Sequence, residues 1–151
     1  MLDDADRRIL RQLQADPTLS GAELAERAGI NAATCWRRLE RLRERGVLRG
    51  SRAVIDWRAL GYTVEVSLRV TLDKTVPRAF EDLADAARQI PEVLEIQTFL
   101  GQVDVRLGLI ARDLAHYQQL YRERILTLPH IADLEALMHV ARIKTDETVP
   151  L

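Results

Sequence analysis

The chain has 151 residues, 47% of them hydrophobic, which suffices for one ordinary domain or two small ones and excludes intrinsic disorder. Lys and Arg number 22 against 23 Asp and Glu, so the formal net charge of −1 gives no bulk attraction to nucleic acid or anionic membranes. A single cysteine, Cys35, excludes an intramolecular disulfide, and charges break every apolar run short of the roughly 18 residues that a membrane-spanning helix requires. The first ten residues lack the basic start and apolar run of a secretory signal, so a soluble, cytoplasmic protein is expected. The charge is unevenly spread. Residues 1 to 60 hold 12 Arg and 9 acids, net +3, and the remainder is net −4, which implies that the two halves meet different partners.

Leu2, Ile9, Leu10 and Leu13 lie near helical spacing behind Asp3 and Asp4, and Asp16-Pro17 breaks the pattern, predicting a helix from about Asp4 to Ala15. Ser20 and Glu23 have capping-box spacing, opening a short second helix that Gly29 closes after Ala28. Asn31 is a good N-cap for a third helix with Cys35, Leu39 and Leu42 on one stripe and Gly46 as its stop. Val47 to Ile55 reads as a small hairpin around Gly50-Ser51, and 56 to 61 as a linker.

From Tyr62 the rhythm changes to strict alternation, with Val64, Val66, Leu68, Val70 and Leu72 on one side of a strand. Val76, Phe80, Leu83, Ala87 and Ile90 form a helical stripe ended by Pro91. Val93 to Leu100 and Val103 to Ile110 form strands around a tight turn at Gly101-Gln102. Leu114, Tyr117, Leu120, Tyr121 and Leu128 give another amphipathic helix, stopped by Pro129 before a last strand from about Ile131 to Ile143. The predicted class is therefore α+β: an N-terminal winged helix-turn-helix domain over 1 to 55, a linker over 56 to 61, and a C-terminal ferredoxin-like βαββαβ domain over 62 to 151. Both helices cover one sheet face. Val93, Phe99 and Leu137 are expected to reach the other and leave it apolar enough for self-association, with a homodimer as the minimum state and higher assembly open.

The helix over Asn31 to Arg45 carries five Arg against two Glu, a local basic face of the kind that meets DNA phosphates. Helix-turn-helix docking places its first turns in the major groove, nominating Asn31, Ala32, Ala33, Thr34, Arg37 and Arg38, with Arg41 further along the helix. Arg49 and Arg52 in the wing would reach a neighbouring phosphate or the minor groove. An Arg-rich face that is merely solvated is the alternative, and the helix-turn-helix context favours DNA. His116, His130 and His139 lack metal-ligand spacing, so no metal or other cofactor is expected. Cys35, Trp36 and Trp57 read as packing residues, and no phosphate loop or nucleophile elbow indicates an enzyme.

The residues Leu2-Asp3, Asp6, Ile9-Leu10 and Leu13-Gln14, then Leu24-Ala25 and Ala28-Gly29, then Cys35, Arg38-Leu39, Leu42 and Gly46-Val47-Leu48, resemble the DNA-binding half of Lrp/AsnC regulators. Gly101 to Asp104 falls where that family's effector-sensing domain has its Gly-x-x-Asp turn, and Lys144 to Leu151 resembles a tail found in one branch. The resemblance covers essentially the whole chain. It implies a transcriptional regulator of double-stranded DNA that dimerises through its sheet and takes an amino-acid effector at Gly101, Gln102, Val103 and Asp104. Ala32 and Ala33 replace prolines frequent in the family, and Gln102 and Val103 replace the usual acidic or Asn residue and the aromatic, which implies an effector preference of its own. An effector-independent architectural DNA-binding protein and a ferredoxin-like metabolic enzyme are the competing readings.

Overall fold

The structure, a computed structural model, describes residues 2 to 145 and 148 to 151. It divides into two compact units, Met1–Val54 with Lys144–Leu151, and Ile55–Ile143. Val149 and Leu151 thus pack with the first unit, although the sequence groups them with the second.

In the first unit three helices, α1 (Asp4–Ala15), α2 (Gly21–Ala28) and α3 (Ala32–Glu44), enclose Ile9, Leu10, Leu24, Ala28, Cys35, Leu39 and Leu42. Each helix starts where a short polar side chain satisfies an otherwise orphaned N–H. The Asp3 carboxylate accepts from Asp6 N–H at 2.9 Å, and the Ser20 hydroxyl accepts from Glu23 N–H while the Glu23 carboxylate accepts from Ser20 N–H at 2.9 Å. Asn31 Oδ1 accepts from Thr34 N–H at 2.8 Å. Gly29 ends α2 at φ 67°, a left-handed conformation that other residues adopt at a cost.

The hairpin expected over Val47 to Ile55 does not form. No strand occurs between Gly46 and Thr63. The N–H groups of Val47 and Leu48 turn back to the Leu42 carbonyl at 2.9 and 3.1 Å, closing α3 instead of starting a ladder. Beyond them Val54 is 90% exposed and finds no apolar surface to pay for strand ordering.

The second unit has the order β1 (Val64–Leu72), α4 (Ala79–Ala87), β2 (Val93–Thr98), β3 (Val105–Ala111), α5 (Leu114–Leu120), which continues through a π-helical turn over Tyr121–Ile125, and β4 (Ile131–Met138). The sheet is antiparallel in the order β2-β3-β1-β4, the ferredoxin-like arrangement. Register pairs Val66 with Leu109, Leu68 with Leu107 and Val70 with Val105, so one face of these alternating strands is buried with Leu83 and Ala87 of α4 and Tyr117 and Leu120 of α5.

The opposite face differs from expectation. Val93 pairs with Leu109 and packs into the core; Phe99 lies past the end of β2; only Leu137, paired with Ser67, falls on the open side. That side is polar. Arg69 pairs with Glu135 at 3.5 Å and Arg106 with Glu95 at 3.1 Å, while Glu65 takes Arg58 at 3.2 Å and also Arg142. The last strand ends at Met138, five residues early, and leaves Val140 and Ile143 exposed because no neighbouring strand accompanies them.

The turn between β2 and β3 is also wider than two residues. Residues 99 to 104 connect the strands, closed by Phe99 N–H to the Asp104 carbonyl at 3.0 Å, because Asp104 N–H bonds instead to the Val70 carbonyl of β1 at 3.0 Å.

Candidate nucleic-acid interface and effector turn

With Cys35, Leu39 and Leu42 buried, the 100° step of an α-helix turns Ala33, Arg37, Glu40 and Glu44 directly outward. Asn31, Ala32 and Ala33 are exposed at the open N-terminal end, and Thr34 is half-buried. Arg37 is exposed beside them, while Glu40 on the same face pairs with Arg43 one turn on. Arg49 and Arg52 are exposed on the irregular segment after α3, without a strand hairpin to present them.

Arg38 and Arg41 turn away from that outward face. Arg38 donates to Asp3 at 2.7 and 2.8 Å and to Asp6 at 2.8 Å, and Arg41 donates to both oxygens of Asp6 at 3.0 and 2.9 Å. Asp6 is 0% exposed. Burial pushes its carboxyl up, but the Arg38 and Asp3 hydrogen bonds and the Arg41 charge outweigh burial and hold it below the usual carboxylate range. Hydrogen bonds from Arg38 and from the Asp6 N–H bring the Asp3 carboxyl down to about 2. Two of the five arginines therefore fasten α3 to α1. This buried network escaped the sequence reading, though its signal is present as acids at 3 and 6 and arginines at 38 and 41, each pair one helical turn apart.

Trp36 is not a packing residue: its ring is 65% exposed, next to Arg37 on the same helix. Trp57 is half-buried with the Arg58 guanidinium 4.2 Å from its ring centre. Cys35 is buried, which pushes its thiol up and away from nucleophilic use.

In the second unit Asp104 is anchored to the end of β1. Its Oδ2 accepts from Leu72 N–H at 2.9 Å and its Oδ1 lies 3.4 Å from Lys74 Nζ, while Thr71 donates to the Gln102 carbonyl at 3.2 Å. Beside it opens a cleft of about 540 Å³, lined by Val76, Phe80 and Phe99 with Lys74, Arg78 and Asp104 at its polar edge. Asp104 reaches this cleft; Gly101, Gln102 and Val103 do not line it. The three histidines stand apart, each beside its own carboxylate, and no metal-holding group of His, Cys, Asp and Glu occurs among the described residues. No helix among them is long and apolar enough to cross a membrane.

Residues 2–49 match the winged helix-turn-helix DNA-binding family, and residues 65–149 match the Lrp/AsnC ligand binding domain. The chain is similar to the leucine-responsive regulatory protein of Rhizobium meliloti (strain 1021), with 33% identity over 95% of this chain and 92% of that one. It is also similar to the leucine-responsive regulatory protein of Escherichia coli (strain K12), with 30% identity over 95% and 87%. Among solved structures, it superposes on a Neisseria meningitidis transcriptional regulator in complex with L-Met with a TM-score of 0.91, at 27% identity over 99% of this chain and 97% of that one. An AsnC family transcriptional regulator from Agrobacterium tumefaciens gives a TM-score of 0.88 at 30% identity over 99% and 97%.

Proposed function

The chain belongs to the Lrp/AsnC family of DNA-binding transcriptional regulators, and we propose that it acts in the cytoplasm as a homodimer that reads an operator with α3 and answers to an amino acid bound in its second unit. The observation that carries the DNA contact is the exposed first turns of α3, where Asn31, Ala32, Ala33 and Arg37 are open to solvent. Arg37 suits guanine O6 and N7, and the Ala methyls suit thymine. Arg38 and Arg41 are reassigned as positioning residues that set the angle of α3 through α1. Arg49 and Arg52, exposed on the segment that follows α3, are placed as contacts to a neighbouring phosphate.

An amino-acid effector is supported by the cleft at Asp104. A zwitterion needs an acid for its ammonium and a base for its carboxylate, and Asp104 stands there with Lys74 and Arg78; Val76, Phe80 and Phe99 suit an apolar side chain. The Neisseria meningitidis neighbour was solved with L-Met, so methionine is the first ligand to try. Dimerisation through the open sheet face would bring together the faces that carry the Arg69–Glu135 and Arg106–Glu95 pairs, and self-association should then depend on salt.

Selection of bound genomic fragments tests the reading. A recurring pseudo-palindrome with salt-dependent affinity is expected, and a base contact by Arg37 should cost about 1 to 3 kcal/mol at one operator position when it is replaced by Ala. Equal binding to all fragments would support an architectural protein instead, and no binding at moderate ionic strength would overturn the regulator reading. Calorimetric titration with the twenty amino acids, and sedimentation at several salt concentrations, test the other two parts.

A further inference from the structure

The segment 149 to 151 lies on α1, held by bonds that resemble those of a peptide in a receptor. The Gln14 carboxamide accepts from Val149 N–H at 2.7 Å and donates back to the Val149 carbonyl at 3.2 Å, so one side chain reads both main-chain groups of one residue. Arg11 Nε and a terminal nitrogen both donate to the Leu151 main-chain oxygen, at 2.9 and 2.8 Å. Arg11 and Gln14 are three residues apart and share one helix face. The Leu151 side chain packs against the core of the first unit with Leu2, Leu13 and Leu48, at the edge of an apolar cleft of about 800 Å³. Pro150, between the two residues held through their main chain, brings no N–H that would need a partner.

Main-chain recognition at alternate residues, an apolar pocket for one side chain and a proline between them are the components of specific peptide binding. The same helix grips α3 near its other end, where Asp3 and Asp6 hold Arg38 and Arg41. Anything that shifts α1 is therefore transmitted to the helix that reads DNA. The tail lies on the β4 side of the second unit in chain order, so the chain passes between the two units twice, before Ile55 and after Ile143.

We propose that the Arg11 and Gln14 face of α1 is a binding site for this chain's own extended segment Val149-Pro150-Leu151, and that its occupancy raises DNA affinity by holding α1 and, through it, α3. The docking stands on its own contacts; the effect on affinity rests on the DNA-binding reading. A ligand in the second unit that draws the tail away would then lower affinity without touching α3.

The test compares the full chain with two variants, Gln14→Leu and removal of residues 148 to 151, by NMR of the Val149 amide and the α1 signals and by operator titration. Slow exchange of the Val149 amide is expected in the full chain and should become fast in Gln14→Leu, while thermal unfolding shows that the variant still folds. A synthetic peptide Thr-Val-Pro-Leu added to the shortened chain should shift the α1 signals toward those of the full chain. Both variants should lose about fivefold in operator affinity, the low end of ordinary coupling between sites. An unprotected Val149 amide in the full chain, or a peptide that moves no α1 signal, would overturn the site. Affinity within twofold of the full chain for the shortened form would overturn the coupling. If the full chain itself binds no DNA, the regulator reading and the coupling fall together, and the NMR result still decides the docking.

Discussion

Arg38→Ala separates a structural arginine from a DNA-reading one. Arg38 makes three charge-assisted bonds, two to the half-exposed Asp3 and one to the fully buried Asp6. Exposed ion pairs contribute little, so the Asp3 bonds are the lesser part. The Asp6 bond is different, since stripping a buried charge of its partner costs about 3 to 5 kcal/mol when nothing replaces it. Here Arg41 remains on Asp6 through two bonds, at 2.9 and 3.0 Å, and offsets roughly half, which leaves a loss of about 2 kcal/mol. For a unit of this size each kcal/mol lowers the unfolding midpoint by about 4 to 8 °C, so a drop of about 10 °C is expected.

Trp36 lies in the first unit and Trp57 in the second, so thermal unfolding followed by tryptophan fluorescence in a Trp57→Phe background reports the first unit alone. Asp6→Ala should destabilise comparably, and the double variant Asp6→Ala with Arg38→Ala should be little worse than either single one, a coupling of about 1 to 2 kcal/mol. Arg37→Ala is the control: its midpoint should stay within about 4 °C of the parent, since substitutions of exposed residues usually cost under about 0.5 kcal/mol. If Arg38→Ala unfolds at the parent temperature yet loses operator affinity, Arg38 is a DNA contact and the network to α1 is incidental.

Three further outcomes follow from the geometry. Asp3 ionises from about 2 in the folded chain against 3.8 when unperturbed, and Asp6 is also lowered, so their contribution is complete above about pH 4 and is lost as pH falls toward 2; an acid titration of Trp36 fluorescence should show this limb, and Asp3→Asn should shrink it. Asp104→Ala should destabilise the second unit by about 1 to 3 kcal/mol by leaving Leu72 N–H without its acceptor, whereas Asp104→Asn keeps an oxygen there and should abolish amino-acid binding while sparing the midpoint. A Cβ on Gly108 would stand 3.3 Å from Glu95 Cβ, so Gly108→Val should crowd the open face and weaken β2–β3 pairing by about 1 to 3 kcal/mol, measured as faster amide exchange in Gln97 and Arg106.

The features legible in the sequence are those decided within a few residues. The cap at Ser20 and Glu23, the stop at Gly29 and the cap at Asn31 each join groups no more than four positions apart, and the alternation of Val64 to Leu72 names its buried face without knowledge of its partners. The misread features depend on what lies across space. Val47 to Ile55 has the composition of a hairpin, but a strand needs a neighbour, and the Leu42 carbonyl takes its first two N–H groups. Trp36 reads as a packing residue at the border of the apolar stripe on α3, but no neighbouring surface covers that border and its ring is 65% exposed.

The candidate DNA surface illustrates the same limit with a functional consequence. Counting arginines along residues 31 to 45 gives a strongly basic helix, but Asp3 and Asp6, more than thirty residues earlier, claim Arg38 and Arg41, and Glu40 claims Arg43. On the first turns of the helix the charge that a phosphate would meet is thus Arg37, while Arg43 and Arg45 stand exposed only at its far end. A stripe of free arginines would bind any duplex by counterion release. One exposed arginine among Ala32, Ala33 and Trp36 makes affinity depend more on which base edges and methyl groups it meets. Fastening Arg38 and Arg41 to α1 would weaken non-specific attraction while fixing the angle at which Arg37 would enter the groove, so a network that ties up positive charge would favour discrimination between operators.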